Sequence, residues 1–131
     1  MQPVMRERFS SGSSWEPRIG CSRAVRAGDA LFISGTAPLA PDGVTTASTD
    51  PLNQARRCFE IIEEVIRDAG FNLTDVVRTR VYFRDEAHWP ALADAHGERF
   101  STIRPACTFL RVAGFANPDW HVEIEAECLR G

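Results

Sequence analysis

Three glutamates at alternate positions near the end of the chain are the residues best suited to acid–base chemistry. Glu123, Glu125 and Glu127 alternate with apolar residues, and this two-residue period places their side chains on one face of a strand. Burial near an apolar cleft raises the pKa of a carboxyl group toward the range useful for proton transfer. His121 begins the same face and is a further candidate proton carrier. Ion pairing with arginines of a neighbouring strand is the alternative role for Glu125 and the expected role of Glu123 and Glu127.

Four cysteines, Cys21, Cys58, Cys107 and Cys128, are the candidate nucleophiles. They form no CxxC pair and match no spacing typical of zinc sites, so we expect reduced thiols and no bound metal. Cys107 is the main candidate for covalent chemistry, which requires an activated thiolate, and Cys21 is the second. A small apolar packing residue is the alternative for both, and it is the role expected of Cys58 and Cys128.

Two tryptophans, Trp89 and Trp120, are candidates for the apolar wall of a ligand cleft. Large aromatic side chains serve more often as core or interface anchors, which is the alternative for each. Trp120 is the stronger candidate because it directly precedes the segment that carries the glutamates.

The totals restrict the classes of function. A chain of 131 residues is expected to form one domain, and its net charge of −3 provides no field that would gather nucleic-acid phosphates. No apolar run approaches the ~20 residues that span a bilayer, and residues 1–17 lack the apolar core of a signal peptide. We therefore expect a cytoplasmic protein with a small-molecule substrate, no cofactor, and no nucleic-acid or membrane partner.

Hydrophobic periodicity predicts the elements that position these residues. Polar residues 1–16 are expected to form a flexible N-terminal arm, followed by a single domain over residues 17–131. Asp50 and Pro51 are typical of a helix start, and Gly70 is placed to end that helix. The order is ββαβαββ, an α+β class with two helices on one face of a mostly antiparallel sheet. The predicted strands are 21–26, 30–34, 75–84, 106–112 and 121–129, and the predicted helices are 51–70 and 86–100.

The sheet face opposite the helices is predicted to be charged. Besides the glutamates, the residues assigned to this polar face are Arg78, Arg80, Tyr82, Arg84, Cys107, Phe109 and Arg111. A charged face that also carries aromatic residues is typical of a subunit interface. We therefore expect a closed homo-oligomer.

Three segments resemble the Rid family, also called YjgF or UK114, and the resemblance extends from about residue 15 to the end of the chain. Residues 20–25 with 32–36 resemble the family's first hairpin, 104–106 the approach to its ligand site, and 122–126 its closing strand. The resemblance implies a homotrimer with a chorismate-mutase-like fold, a six-stranded sheet and three clefts between subunits. In the best-studied members these clefts hydrolyse enamines and imines to keto acids and ammonia.

The resemblance also assigns residues to that cleft. Glu125 falls on the glutamate that positions or activates the attacking water, and Ser34-Gly35 on the loop that contributes polar groups to the ligand. Cys107 replaces the arginine that binds the substrate carboxylate through two hydrogen bonds, and Cys21 replaces a tyrosine. A neutral thiol does not substitute for that arginine, so standard 2-imino acids are not the expected substrates. Arg104 lies beside the lost arginine and is a candidate ligand contact, but not its substitute.

The leading hypothesis is hydrolysis at an imine, enamine or related C–N or carbonyl-derived carbon by water that Glu125 activates in an inter-subunit cleft. One alternative is a hydrolase or cyclase that uses Cys107 as nucleophile, and another is a non-catalytic ligand-binding or protein-stabilising trimer. The candidate catalytic residues are Glu125 and Cys107, and the candidate substrate-binding residues are Ser34, Gly35, Cys21, Trp89, Trp120 and Arg104.

Overall fold

The computed structural model describes residues 5–131 as a six-stranded sheet covered on one face by two helices. The predicted α+β class with two main helices is confirmed. The strands are β1 (Arg6–Phe9), β2 (Ala24–Ala27), β3 (Ala30–Thr36), β4 (Val76–Phe83), β5 (Ala106–Arg111) and β6 (Val122–Leu129). The helices are the short α1 (Trp15–Ile19), α2 (Pro51–Asp68) and α3 (Trp89–Phe100), with single 3-10 turns at Leu73–Asp75 and Glu86–His88.

The strand order across the sheet is β1-β2-β3-β6-β4-β5. All neighbouring strands are antiparallel except β4 and β5, which are parallel. A parallel pair needs a crossover connection, and α3 supplies it. The last strand in sequence, β6, lies near the centre of the sheet, so its side chains contact residues of both β3 and β4.

The N-terminal segment contributes structure that the sequence assignment missed. Strand β1, placed by the sequence in a flexible arm without a core role, pairs with β2 and supplies the sixth strand. Glu16 of α1 is buried and accepts a hydrogen bond from the hydroxyl of Ser10 at 2.7 Å. Residues 1–4, the start of the predicted arm, lie outside the described part of the chain.

Helix α2 forms the centre of the core, as its periodicity predicts. The carboxylate of Asp50 accepts a hydrogen bond from the backbone N–H of Asn53 at 3.0 Å, and Pro51 occupies the first turn. The buried stripe comprises Ala55, Cys58, Phe59, Ile62 and Ile66. No helix within residues 5–131 is both long and apolar enough to cross a membrane.

The side-chain alternation of β6 is confirmed, but the predicted orientation of β5 is wrong. Val122 and Ile124 are buried beneath the helices, and the glutamates of β6 lie on the opposite, open face. In β5, Cys107 is opposite the buried Thr79 and Phe109 is opposite the buried Val81, so both point to the helix-covered face. The alternation within β5 does not show which of its side chains point to the helices, because the parallel register with β4 sets their orientation.

The left-handed backbone of Arg104 provides a stability test. Its φ is 55°, and it is the single non-glycine residue with positive φ in the described part of the chain. Because this conformation strains side chains that have a Cβ, we expect Arg104→Gly to be more stable than Arg104→Ala by about 0.5–1 kcal/mol in urea unfolding. Ser101, with φ −59°, is the matched control, and Ser101→Gly should be less stable than Ser101→Ala. The same order of stability at both positions would contradict the prediction.

Candidate functional site

A β-bulge in β3 places Ser34 and Gly35 at the open face of the sheet. Ile33 is opposite Ala126 while Thr36 is opposite Ile124, so β3 contains one residue more than β6 between these pairs. A Cβ atom on Gly35 would lie 3.3 Å from Oε1 of Glu123. Glycine therefore allows the Glu123 carboxylate to approach the backbone of the bulge closely.

Arg23, the residue directly before β2, holds the bulge in place. Its guanidinium donates hydrogen bonds to the Ser34 hydroxyl and, at 2.5 Å, to the carbonyl oxygen of Gly35. Burial lowers the pKa of Arg23, while the carboxylates of Glu16 and Glu123 act in the opposite direction. An arginine remains charged under these conditions, so it is a fixed cation beside Glu123. The sequence analysis did not identify Arg23 as a site residue, although its position in the first hairpin, opposite Ser34, was a usable signal.

Glu123 has the environment that suits a general base. Burial raises its pKa, the positive charge of Arg23 opposes that increase, and the charge of Glu125 adds to it. The sequence analysis had assigned Glu123 to ion pairs. A carboxylate with a raised pKa that lies against a polar loop is a candidate for accepting a proton from water.

Glu125 and Glu127 are held by side chains of β4. The hydroxyl of Tyr82 donates a hydrogen bond to Oε1 of Glu125 at 2.5 Å, and this bond raises the pKa of the tyrosine. Nη1 of Arg80 lies 3.9 Å from Oε1 of Glu125 and 2.9 Å from Oε1 of Glu127. Glu125 thus occupies the neighbouring position on the face that carries Glu123, but it already has two partners.

Cys107 lies on a different surface, at the outer edge of the sheet. Its thiol is exposed, and the strand register places it beside Thr79, whose hydroxyl is 2.8 Å from Nε2 of His96. Burial lowers the pKa of His96, which favours the neutral imidazole. Trp89, 48% exposed, contacts Phe109 at a ring-centroid distance of 5.9 Å on the same surface. The structure therefore groups Cys107 and Trp89, two of the predicted site residues.

The two groups are separated within one subunit. Strand β4 lies between β5 and β6, which places Cys107 and Glu123 about 10 Å apart across the sheet, and the register offsets them by three residues, about 10 Å, along the strands. Their side chains also point to opposite faces. A single cleft that uses both residues would have to be formed by two subunits.

The remaining predicted site residues are Cys21, Arg104 and Trp120. Cys21 is exposed and follows α1, where its backbone N–H donates to the carbonyl of Glu16 at 2.9 Å, two residues before Arg23. Arg104 is exposed and lies at the end of the turn that leads into β5. The indole Nε1 of Trp120 is buried and, among the described residues, has no hydrogen-bond partner.

The burial of the four cysteines predicts which thiols react. Burial raises the pKa of Cys128 to about 12 and raises the pKa of Cys58 even further, whereas Cys21 and Cys107 are exposed. We expect iodoacetamide at pH 8 to modify Cys21 and Cys107 in the folded protein, and all four cysteines in denaturant. Intact-mass and peptide spectrometry, with Cys107→Ala as the control, would identify the sites. Rapid labelling of Cys58 or Cys128 in the folded protein would show that the core opens.

Comparison with known proteins identifies the family. A family model described as Endoribonuclease L-PSP matches residues 12–129. An uncharacterised protein of Streptomyces coelicolor is 36% identical over 95% of this chain and 92% of its own length. The 3-aminoacrylate deaminase RutC of Acinetobacter baylyi is 32% identical over 77% of this chain and 79% of its own. The crystal structure of a YjgF/YER057c/UK114 family member from Mycobacterium tuberculosis superposes with a TM-score of 0.87, at 35% identity, covering 96% of this chain and 100% of that one. The chain therefore belongs to the Endoribonuclease L-PSP family, the group also known as Rid or YjgF/UK114.

Proposed function

We propose that this protein is a small-molecule hydrolase that converts an imine or enamine to a carbonyl compound and ammonia in a cleft between subunits. The observation that carries the proposal is the Glu123 carboxylate, which has a raised pKa and lies against the Ser34-Gly35 bulge. The Acinetobacter baylyi relative named 3-aminoacrylate deaminase supports the same reaction class. The four free thiols suit a reducing compartment, and the cytoplasm is the proposed location.

In the proposed mechanism, Glu123 accepts a proton from water as the water oxygen bonds to the C=N carbon. The electron pair of the C=N bond moves to nitrogen, which takes up a proton, and a carbinolamine forms. The carbinolamine hydroxyl proton then moves through the Glu123 carboxylate to nitrogen. The O–H electron pair forms the C=O bond as the C–N bond breaks, and ammonia leaves with the transferred proton. Arg23 keeps the Gly35 carbonyl and Ser34 hydroxyl in fixed positions, so these groups are oriented before the substrate binds.

The structure-based assignment of the water-activating residue differs from the sequence-based one. Glu125 remains a candidate, but its Oε1 accepts the Tyr82 hydroxyl and lies 3.9 Å from Nη1 of Arg80, so protein side chains already engage it. Glu123 has burial as its dominant influence, which favours proton uptake. We therefore propose Glu123 as the general base and Glu125 as a residue that orients Tyr82.

We propose that the functional unit is a homotrimer. Phe32 and Leu110, 49% and 39% exposed, lie on the open sheet face together with the glutamates of β6 and the arginines of β4. Covering this face with another subunit would bury apolar area. It would also allow the Glu123 group of one subunit to approach the Cys107 group of the next. Light scattering coupled to size-exclusion chromatography measures the assembly, and a monomeric active protein would exclude the shared cleft.

The test of the proposed function is ammonia release from freshly generated 3-aminoacrylate and 2-aminoacrylate. Cys107 stands where the resemblance places a carboxylate-binding arginine, so we propose weak turnover of 2-aminoacrylate that Cys107→Arg improves. The Cys107→Ala variant is the matched control because it removes the thiol without adding a cation. Absence of turnover with any form would favour a ligand-binding trimer instead.

A second candidate function uses Cys107 as a nucleophile in hydrolysis or cyclisation. The observation in its favour is the exposed thiol beside the Thr79–His96 hydrogen bond, in a position open to a ligand. Trapping of a covalent adduct on Cys107 by mass spectrometry during turnover would support it. Full turnover by Cys107→Ala would exclude it.

A further inference from the structure

A polar cavity opens at the end of the sheet where β4, β5 and β6 meet the loops. Its volume is about 570 Å³, large enough for a small organic molecule. The cavity lies outside the two groups of site residues described above. Its lining residues are Arg84, Asp85, His88, Arg111, Ala113 and His121.

A histidine fixes the orientation of Arg84 in this cavity. Nη2 of Arg84 lies 3.3 Å from Nδ1 of His121, and Nε2 of His121 lies 3.1 Å from the carbonyl oxygen of Thr49. Because arginine only donates, Nδ1 must accept, and the proton on Nε2 is then available to the carbonyl. This tautomer is neutral. Burial, together with the charges of His88 and Arg84, lowers the pKa of His121, which also favours the neutral ring.

The cavity carries an excess of positive charge. Nε of Arg111 donates a hydrogen bond to the backbone carbonyl of Arg84 at 3.3 Å, which brings the second arginine to the first. Within residues 5–131, neither Arg84 nor Arg111 forms an ion pair. The arginines that do are Arg56, Arg57, Arg80, Arg99 and Arg130. Asp85 is the one acidic residue of the lining, and its carboxylate is 3.8 Å from Nε2 of His88. Two guanidinium groups against one carboxylate favour the binding of an anion.

His88 adds a polar atom without a partner. Its ring meets that of His121 edge-on at a centroid distance of 4.7 Å, and its Nδ1 is buried without a hydrogen-bond partner among residues 5–131. A buried polar atom of this kind is costly unless something satisfies it. A ligand in the cavity is one means of satisfying it.

The cavity lies at the end of the sheet, two residues along the chain from Glu123. Tyr82 of β4 is opposite Glu123 of β6. Two residues further along these antiparallel chain segments, Arg84 contacts His121. Two residues along a strand span about 7 Å. An anion held by Arg84 would therefore lie about 7 Å from the level of Glu123.

We propose that this cavity binds the anionic group of the substrate, a carboxylate or phosphate, through Arg84 and Arg111. The proposal rests on the proposed function for the position of the reacting carbon. It names the substrate class: an imine or enamine whose acidic group lies several bonds from the C–N carbon, rather than next to it as in 2-imino acids. Arg111 is at the opposite end of β5 from Cys107, so the anion is held about 13 Å along that strand from the thiol.

The direct test measures binding without turnover. Titration calorimetry of the full chain with glutarate and, separately, with inorganic phosphate should give saturable binding, and the stronger of the two identifies the preferred group. The Arg84→Gln/Arg111→Gln double variant should bind about 10-fold more weakly or worse. Arg67→Gln is the control for the loss of a single positive charge in either single variant, because Arg67 is exposed in the last turn of α2, about 25 Å from the start of that helix. The control should bind within twofold of the wild type.

Either of two results would overturn the proposal: no saturable binding of glutarate or phosphate, or equal affinities in the double variant and the wild type. The single variants Arg84→Gln and Arg111→Gln serve if the double variant fails to fold, as judged by its thermal transition. Because binding requires no chemistry, a loss of ammonia release in Glu123→Gln with intact glutarate binding separates the proposed function from this site. A failure of the proposed function would leave the binding result standing.

Discussion

Glu123→Gln is expected to reduce ammonia release by about 10²- to 10⁴-fold, the usual contribution of a general base. The amide keeps the size of the side chain and its place against Gly35 but cannot accept a proton from water. The effect should fall on kcat more than on KM, because the proton is transferred in the transition state. Continuous ammonia detection with the best substrate of the assay described above would measure it.

The matched control is Glu125→Gln, on the same strand and the same face. It should disturb the hydrogen bond from Tyr82 and lower activity by much less. The pH profile gives an independent test. The ionised form of Glu123 is the active base, so kcat/KM should fall as pH drops through a pKa above the ordinary value for glutamate, since burial raises it. A larger loss in Glu125→Gln than in Glu123→Gln would return the role of base to Glu125.

Gln54→Leu is expected to lower the free energy of unfolding by about 3–6 kcal/mol. Gln54 is 0% exposed, and its side chain satisfies three backbone groups. Its Nε2 donates to the carbonyls of Ser48 and Asp119 at 2.8 and 2.9 Å, and its Oε1 accepts from the N–H of His121 at 2.8 Å. Leucine fills similar space but leaves these groups unpaired, and each costs about 1–3 kcal/mol. Urea unfolding and calorimetry would record the loss.

Asn53→Leu is the control for this substitution because Asn53 is the adjacent residue of α2 and is exposed. Its side chain makes one long contact, at 3.3 Å, with Arg56, so the change in unfolding free energy should stay below about 1 kcal/mol. Equal losses at the two positions would mean that the buried hydrogen bonds of Gln54 are not the cause. Gln54 also fixes the start of β6, so its loss should weaken glutarate binding through the displacement of His121.

Elements with strong hydrophobic periodicity can be predicted from the sequence. Helix α2 follows from the spacing of its apolar stripe, from Pro51 and from the Asp50 cap, all of which are local signals. The alternation in β6 likewise predicted its open and covered faces, because successive strand residues point to opposite sides. The resemblance in the first hairpin, at residues 104–106 and in the last strand was enough to indicate the family before any comparison was made.

Tertiary structure alone decided three features. The sequence of β1 has no marked pattern, and its place in the sheet depends on pairing with β2. Which side chains of β5 point to the helices depends on its parallel register with β4. That register is a long-range relation, and the alternation of residues within β5 does not reveal it. The distinction between Glu123 and Glu125 depends on what surrounds each: the bulge, Gly35 and Arg23 for one, Tyr82 and Arg80 for the other. The two glutamates share one sequence pattern, but the fold gives Glu123 the burial that raises its pKa and gives Glu125 its contacts with Tyr82 and Arg80.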